Sequence, residues 1–365
     1  MSKIEKLIEE LCPNGVEYKK LEFCCRILDN KRKPISKNSR NIGIYPYYGA
    51  NGIQDYIDNY IFDGKYVLIG EDGSVQTQNG NPIVNWAEGK IWVNNHAHII
   101  EEANNVLLRY LFHYLQIVDV SDLIHGNIPK LTGSDFRNII VPVPPLEVQE
   151  EIVRILDKFG ELEAELEAEL EARKSQYEFW RGKLLNNNES NVINIQDISN
   201  KVFSGKCYDK TSEGLYPVYG STGIIGYNND YLYDEDKILI ARVGANAGYV
   251  SIAHGKYNVT DNALILELKD NINLKYVYYY LKDYNLNSLA KGGGQPLITG
   301  KQIKELTIFI PSLQEQERIV NILDKFDKLV NDISEGLPAE IEARRKQYAY
   351  YRNKLLSFEE LVVNE

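Results

Sequence analysis

Hydrophobic and polar positions form two alternating patterns along the chain. In the first pattern, short apolar runs of strand length are separated by turns rich in glycine and asparagine, at 66–69, 91–93, 237–240 and 263–268. Helical spacing over 104–117 and 273–284 adds a short helix to each group of strands. This pattern predicts an α+β fold with two globular domains and long surface loops.

In the second pattern, apolar residues recur at steps of three and four positions. One stripe comprises Ile152, Ile155, Phe159, Leu162, Leu166, Leu170, Tyr177, Trp180 and Leu184. The other comprises Ile319, Ile322, Phe326, Leu329, Ile333, Ile341, Tyr348, Tyr351 and Leu355. Such stripes predict two long helices, each spanning about 60 Å for roughly forty residues, packed antiparallel as a coiled-coil spacer.

The chain contains an internal duplication. The segment Tyr45–Gly49 (YPYYG) returns 171 residues later as Tyr216–Gly220 (YPVYG). The segment Ile155–Phe159 (ILDKF) is repeated letter for letter, 167 residues later, as Ile322–Phe326. Because the matches keep one order, they predict a pseudo-twofold internal repeat in which two similar domains are each followed by a long helix.

These patterns divide the chain into six segments. They are an N-terminal helical segment (1–16), a first globular domain (17–145), a central spacer helix (146–186), a second globular domain (187–311), a C-terminal spacer helix (312–358) and an acidic tail (359–365). The spacing in Ile4–Leu11 predicts a short helix that packs against the second long helix. Proline in Gly336-Leu337-Pro338 is expected to break or kink that long helix.

Charge and composition narrow the class of protein. The net charge is −11, but residues 17–145 carry 13 basic and 14 acidic side chains and residues 187–311 carry 12 and 13, so both globular domains are near neutral. No apolar run approaches the roughly 18 residues of a membrane span, and the start lacks the apolar core of a signal peptide. We therefore expect a cytoplasmic protein whose four cysteines are reduced thiols.

Several segments together resemble the specificity (S) subunit of type I restriction–modification systems. They are 7–18 (LIEELCPNGVEY), 144–152 (PPLEVQEEI), 311–316 (PSLQEQ), 342–348 (EARRKQY) and 351–356 (YRNKLL). The resemblance extends over essentially the whole chain. One departure is the uninterrupted Glu-Leu-Glu-Ala stretch of the first long helix, where the second contains glycine and proline.

The resemblance implies a non-catalytic DNA-binding subunit. The two globular domains would be target recognition domains that each read one half of a bipartite, asymmetric site in double-stranded DNA, and the helices would set the spacing. Two modification (methyltransferase) subunits would dock on the helices, at positions including Leu162, Leu166, Leu170, Tyr177, Trp180, Tyr348 and Tyr351. Restriction (endonuclease and translocase) subunits would join them, and S-adenosylmethionine, Mg²⁺ and ATP are expected on those partners, not on this chain.

The repeat also indicates candidates for base reading, since positions that preserve the fold should match and positions that read bases need not. Glu71 and Arg242 are equivalent at an offset of 171. Arginine suits guanine, and glutamate can accept a hydrogen bond from cytosine; an ordinary change of surface charge is the alternative. Other candidates for DNA contact are basic or lie in glycine-containing loops: Lys31, Arg32, Lys33, Lys37, Arg40, Lys130, Lys206, Lys210, Lys291, Gln295 and Lys301.

Rival interpretations are weaker. His96 and His98 could suggest a metal site, but their equivalents are not ligands of the same kind and no cysteine lies near in sequence, which favours a structural role. Asp261 and Glu267 could suggest a nuclease, yet the first repeat does not keep the pattern. The sequence carries neither a Walker motif nor the base-gripping motif of an amino-methyltransferase. The remaining alternative is a structural adaptor that assembles partners through its paired helices and reads no DNA sequence.

Overall fold

The computed structural model describes residues 3–73, 75–186, 192–291 and 296–361 and divides the chain into two compact units. Unit 1 consists of Met1–Glu165 and Ile341–Glu365, and unit 2 consists of Leu166–Glu340. Each unit combines one globular domain with parts of the long helical stretches. None of the described helices is both long enough and apolar enough to cross a membrane.

The globular domain of unit 1 is a six-stranded sheet with helices packed against it. The elements from the N-terminus through the first long helix are α1 (Lys3–Leu11), β1 (Glu17–Lys20), β2 (Cys25–Ile27), β3 (Ile42–Gly49), β4 (Gly52–Ile57), β5 (Phe62–Gly70), β6 (Val84–Val93), β7 (Ala97–Glu102), α2 (Leu108–Leu115), β8 (Ile124–His125), β9 (Lys130–Leu131), α3 (Gly133–Arg137), β10 (Ile140–Val143) and α4 (Leu146–Leu185). The strand order is β2-β7-β5-β6-β3-β4. Only the β3–β6 pair of this sheet is parallel. The predicted apolar run is the buried centre of β5.

Unit 2 repeats this architecture with one interruption. Its elements after α4 are β11 (Val192–Asn194), α5 (Ile195–Ile198), β12 (Ser199–Ser204), β13 (Tyr216–Gly220), β14 (Gly223–Asn228), β15 (Tyr233–Asp234), β16 (Lys237–Ala241), β17 (Val250–Ala253), β18 (Lys256–Val259), β19 (Ala263–Leu268), α6 (Leu274–Asp283), α7 (Gly300–Lys304), β20 (Thr307–Phe309) and α8 (Leu313–Asn331); α9 (Leu337–Leu355) follows. Eight of these strands form two four-stranded sheets, β12-β19-β16-β17 and β14-β13-β18-β15, and β11 pairs separately with β20. The division falls where the single strand β6 of unit 1 is replaced by β17 and β18, around Gly255 with a φ of +63°. The predicted repeat of two α+β domains is therefore confirmed.

The second long helical stretch is two helices. The expectation of one helix over 312–358 was wrong in this respect, and the break expected near Gly336-Leu337-Pro338 is confirmed: α8 ends at Asn331 and α9 begins at Leu337. A Cβ on Gly336 would lie 2.5 Å from the carbonyl oxygen of Lys328, so the turn packs closely against the end of α8. By contrast, α4 is continuous over 40 residues.

Within unit 1, the first part of α4 packs antiparallel to α9. Phe159 of α4 stacks on Tyr351 at 5.5 Å between ring centroids, and Glu163, one turn later in α4, pairs with Arg345, earlier in α9, at 2.6 Å. The N-terminal helix α1 joins the same core, since Ile4 is buried in one cluster with Leu355. The predicted packing of α1 against the second helical stretch is thus confirmed.

Candidate nucleic-acid interface

The basic segment 31–40 of unit 1 separates into exposed lysines and arginines bound within the protein. The side chains of Lys31, Lys33 and Lys37 are exposed and form no salt bridge with the residues that the structure describes. Arg40 lies over the ring of Tyr47 at 4.1 Å and pairs with Asp55 at 3.4 Å. The lysines are therefore available to phosphate, whereas Arg40 helps to hold the segment on the sheet.

Arg32 belongs to a compact ionic cluster at the end of β5. Its Nη1 donates a hydrogen bond to Glu71 Oε2 at 2.6 Å and another to the carbonyl of Ala97 at 2.7 Å. The Nζ of Lys130 lies 3.2 Å from the other oxygen of Glu71. Glu71 is only 9% exposed. Both carboxylate oxygens of this candidate base reader therefore already have partners in the protein.

A buried histidine completes the same cluster. His98, fully buried, places Nδ1 2.6 Å from Asp29 Oδ2 and Nε2 3.0 Å from the carbonyl oxygen of Leu131. Its ring stacks on Phe136 at 4.2 Å. Burial by itself would raise the pKa of the Asp29 carboxyl, but the hydrogen bond and charge of His98, together with Arg32, outweigh burial and leave that pKa below its ordinary value.

The cluster also bears on the metal hypothesis. Ligand atoms of Asp29, Glu71 and His98 lie within 4.8 Å of one another, close enough for a metal ion. Arg32 and Lys130 already supply positive charge to these carboxylates. We therefore interpret the group as an ion-pair cluster that fixes the β5 turn. His96, the other candidate histidine, is partly exposed and lies 2.5 Å from Asp72 through Nδ1.

The equivalent turn of unit 2 is built differently. Arg242 follows β16, and its Nη1 donates to the carbonyl of Asp261 at 3.3 Å. Its Nε is buried and has no hydrogen-bond partner among the described residues. The hydroxyl of Thr260, 7% exposed, is likewise buried without a partner there. This turn therefore contains polar groups that the described part of the protein does not satisfy.

The other basic candidates of unit 2 lie on its surface. Lys206, Lys210 and Lys291 are exposed and form no salt bridge within the described ranges. Lys301 is exposed in α7 and lies 3.6 Å from Glu305. Gln295 lies outside the described residues.

The residues of the nuclease alternative are held in separate contacts. Glu267 pairs with Lys237 at 3.2 Å, and the Nζ of Lys269 donates to the carbonyl of Asp197 at 2.6 Å. Asp261 is exposed and offers its carbonyl to Arg242. The ion pair of Glu267 supports a structural role for that acid. The contact of Asp261 involves its backbone carbonyl and not its carboxylate.

The candidate docking residues of the helices differ in accessibility. Tyr177 is buried against Phe326 in unit 2, whereas Trp180 and Tyr351 are each 37% exposed. The half-buried members are Leu162, Leu166, Leu170 and Tyr348.

Two exposed aromatic residues were missed by the helical stripes. Phe179 is 63% exposed beside Trp180, and Tyr350 is 62% exposed beside Tyr351. The two pairs have T-shaped geometry, with centroids 5.5 and 5.3 Å apart. They stand 171 residues apart, so inspection of the repeat would have identified them.

Comparison with known proteins identifies the family. The sequence pattern of the type I restriction modification DNA specificity domain matches the chain twice, at residues 13–172 and 187–343. A Haemophilus influenzae protein assigned as a type I restriction enzyme specificity subunit is 37% identical, with 97% of this chain and 98% of that protein covered. The Escherichia coli EcoR124I/EcoR124II specificity subunit is 32% identical over 70% of this chain and 72% of its own length.

Solved structures agree at the level of the fold. The S subunit of a type I restriction–modification system from M. genitalium has a TM-score of 0.64 at 17% identity, covering 94% of this chain and 97% of that one. An HsdS subunit from Thermoanaerobacter tengcongensis has a TM-score of 0.50 at 16% identity, covering 95% and 97%. With its two matching domains and full-length relatives, the chain belongs to the family of type I restriction–modification DNA specificity subunits.

Proposed function

We propose that this chain supplies DNA sequence specificity to a type I restriction–modification complex in the cytoplasm, and that each recognition domain reads one half of a bipartite, asymmetric site. The observation that carries the proposal is a duplicated scaffold whose equivalent surface turns differ. The strands and helices of the two domains correspond, yet the turn after β5 holds Glu71 and the turn after β16 holds Arg242. A common scaffold with different turns suits two half-sites of different sequence.

The helices would fix the distance between the half-sites. A helix of 40 residues such as α4 measures about 60 Å along its axis. Its continuity and its antiparallel pairing with α9 in unit 1 support a stiff connection. A change in helix length would therefore change the number of base pairs between the two half-sites.

Two modification subunits would dock on the helices, one for each repeat. The exposed pairs Phe179–Trp180 and Tyr350–Tyr351 have nearly the same exposure and geometry. Aromatic side chains of this kind are enriched at protein interfaces. Two equivalent patches on one chain suit two copies of one partner.

Catalysis would reside on the partner subunits. The modification subunits would methylate adenine and use S-adenosylmethionine, and restriction subunits would use ATP and Mg²⁺ to translocate and cleave DNA. Because phosphate binding favours a basic surface, the near-neutral recognition domains support a complex in which the partner subunits also contact the DNA backbone. The exposed lysines of this chain would provide only part of the positive surface.

Single-molecule sequencing of methylated DNA would test this function. Cells that express the chain with its modification subunit should acquire adenine methylation at a bipartite motif, and the motif should disappear without the chain. Exchange of residues 187–311 for those of a relative should alter one half of the motif only. An assembled, cofactor-loaded complex that methylates no defined motif would contradict the proposal and favour the adaptor alternative.

A further inference from the structure

The equivalent turns of the two repeats differ in the balance of their charges. In unit 1, Glu71 is satisfied by Arg32 and Lys130, within hydrogen-bond or ion-pair distance of both oxygens. The neighbouring Asn94, 2% exposed, is also satisfied: its Oδ1 accepts from the His96 N–H at 2.8 Å and its Nδ2 donates to Gln54 at 3.3 Å. This turn needs no external ligand.

In unit 2, the residues at the same positions lack such partners. Arg242 takes the place of Glu71, and Thr260 takes the place of Asn94 at an offset of 166. Arg242 Nε and Thr260 Oγ1 are both buried without a hydrogen bond among the described residues. Arg242 also has no acidic partner there; its one described hydrogen bond, to the carbonyl of Asp261, orients the guanidinium.

A partly buried guanidinium without a counter-charge is unfavourable unless water or a ligand provides acceptors, and an anionic or acceptor-rich ligand compensates the charge better than water does. The backbone allows close approach at this place, because Gly244 has a φ of +77° and nothing lies within 4 Å of where its Cβ would be. The ligand must therefore be rich in acceptors and must reach an open turn. DNA offers two such groups, the phosphate and the edge of guanine.

The repeat distinguishes between these two groups. The phosphate backbone is the same in both half-sites, so a phosphate contact would be kept as a positive residue in both repeats. The equivalent residue is instead an acid held by internal ion pairs. A base contact needs no such match, and the planar fork of arginine fits O6 and N7 of guanine.

We propose that Arg242 is a specificity-determining residue that reads a guanine in the half-site of unit 2, and that Glu71 reads no base and serves to hold its turn. This inference rests on the proposed function. It assigns base reading at this turn to one repeat only, so the two recognition domains use their equivalent turns for different purposes.

The test uses the complex of the full chain with its modification subunit and duplexes that carry the motif found by methylation sequencing. Each guanine is replaced in turn by 7-deazaguanine, which lacks the N7 acceptor. For one guanine, the unaltered complex should lose affinity about tenfold or more. Arg242→Ala should weaken binding by about 5- to 150-fold and abolish the response to that one substitution.

Two further variants make the result specific. Arg242→Lys keeps the charge but not the fork, so it should relax the motif at the same guanine, whereas a phosphate contact would leave the motif unchanged. Arg318→Ala removes an exposed arginine of α8 that pairs with Glu315, and should leave the motif and affinity unaltered. Glu71→Gln should leave the base preferences of the first half unchanged.

Three outcomes would overturn the inference. The first is that Arg242→Ala retains the full response to every 7-deazaguanine, and the second is that it weakens binding equally on all duplexes with no change in motif. A change of first-half preference in Glu71→Gln would overturn the structural role of Glu71. In each of these cases the unaltered complex still has a bipartite motif, so the proposed function stands; absence of any motif would overturn both.

Discussion

Gln149 and Gln316 make the same two hydrogen bonds at the start of the long helix in each repeat. The Oε1 of Gln149 accepts from the Leu107 N–H at 2.9 Å, and its Nε2 donates to the carbonyl of Pro144 at 2.8 Å. Gln316 accepts from the Asn273 N–H and donates to the Pro311 carbonyl, both at 2.9 Å. Each glutamine is 1% exposed. These side chains therefore join the long helix to the loop that precedes the short helix of each domain.

Replacement of either glutamine should destabilise its own unit. In Gln149→Ala or Gln316→Ala, a backbone N–H and a backbone carbonyl lose the buried amide that partners them, which should lower the free energy of unfolding by about 1–3 kcal/mol. Chemical denaturation would measure the loss, and hydrogen exchange would assign it to unit 1 or unit 2. Gln176→Ala, on the exposed face of α4, is the control and should change stability by less than about 0.5 kcal/mol. Equal losses for buried and exposed glutamines would contradict this role.

In each repeat an aspartate of the long helix contacts a side chain of the short helix, a histidine in unit 1 and a tyrosine in unit 2. The histidine makes the contact in unit 1 sensitive to pH near neutrality. In unit 1, His113 Nε2 lies 2.8 Å from Asp157 Oδ1, and Nδ1 lies 3.2 Å from the hydroxyl of Tyr348. In unit 2, Tyr279 donates to the equivalent Asp324 at 2.7 Å. Burial lowers the pKa of His113 and outweighs the opposite effect of Asp157. The neutral ring, donating to Asp157 and accepting from Tyr348, is therefore the form that the folded state favours.

Unit 1 should lose stability as the pH falls below about 6.5, the ordinary pKa of histidine. The unfolded chain takes up a proton there before the folded chain does, because the pKa of His113 is lowered in the fold. The contribution of neutral His113 to the free energy of unfolding is complete above this pH. It decreases on acidification by at most about 1.4 kcal/mol per pH unit. Denaturation between pH 5 and 8 should show a smaller slope in His113→Gln.

His254→Gln is the matched control for that experiment. His254 is exposed in unit 2 and lies 2.8 Å from Asp236, so its replacement should leave the slope of unit 1 unchanged. An unaltered slope in His113→Gln would show that another group is responsible. Asp157 does not titrate between pH 5 and 8. Burial would raise the pKa of its carboxyl, but hydrogen bonds from His113 and Arg109 leave that pKa below its ordinary value. Its contribution to stability is therefore lost only at more acidic pH.

The turn between α8 and α9 leaves no space for a side chain at Gly336. Its Cβ position lies within 3.0 Å of three backbone carbonyls, so Gly336→Ala should cost about 1–3 kcal/mol of stability in unit 2. Gly160 and Gly182 lie within α4 with nothing near the Cβ position, and alanine at either should stabilise by up to about 1 kcal/mol. Thermal unfolding would measure the three variants. A neutral Gly336→Ala would mean that the turn relaxes without cost.

The periodic part of the fold was accessible from the sequence because it depends on local patterns. The strand centre Val67–Ile69 and the helix α6 lie where the apolar spacing placed them. Proline near Gly336 indicated the break, because a proline cannot continue the hydrogen bonding of a helix. The duplication then allowed each element to be predicted twice.

The ion pairs of the candidate site could not be predicted from the sequence. Arg32 and Glu71 are 39 residues apart, and Asp29 and His98 are 69 residues apart, so only the folded sheet brings them together. A basic segment therefore resembled one phosphate-binding surface, although the structure commits Arg32 and Arg40 to internal contacts. The missed Phe179 lies outside the apolar stripe, since it does not contribute to the helix core.

Replacement of either exposed aromatic pair should change the number of modification subunits that bind this chain. If each pair holds one modification subunit, loss of one pair should leave a complex with a single such subunit. Phe179→Ser with Trp180→Ser should remove the subunit bound at α4, and Tyr350→Ser with Tyr351→Ser the one bound at α9. Native mass spectrometry of the assembled complex would count the subunits.

A control variant separates docking from a general loss of apolar surface. Phe23 is 60% exposed in unit 1, away from the long helices in sequence, and Phe23→Ser should leave two modification subunits bound. Because interface aromatics can each contribute 2 kcal/mol or more, a double replacement should weaken binding at its site by about 100-fold or more. Two subunits retained at full affinity in both double variants would place the docking surface elsewhere on the chain. Loss of both subunits from one double variant would instead show that the two sites bind cooperatively, and that neither patch acts alone.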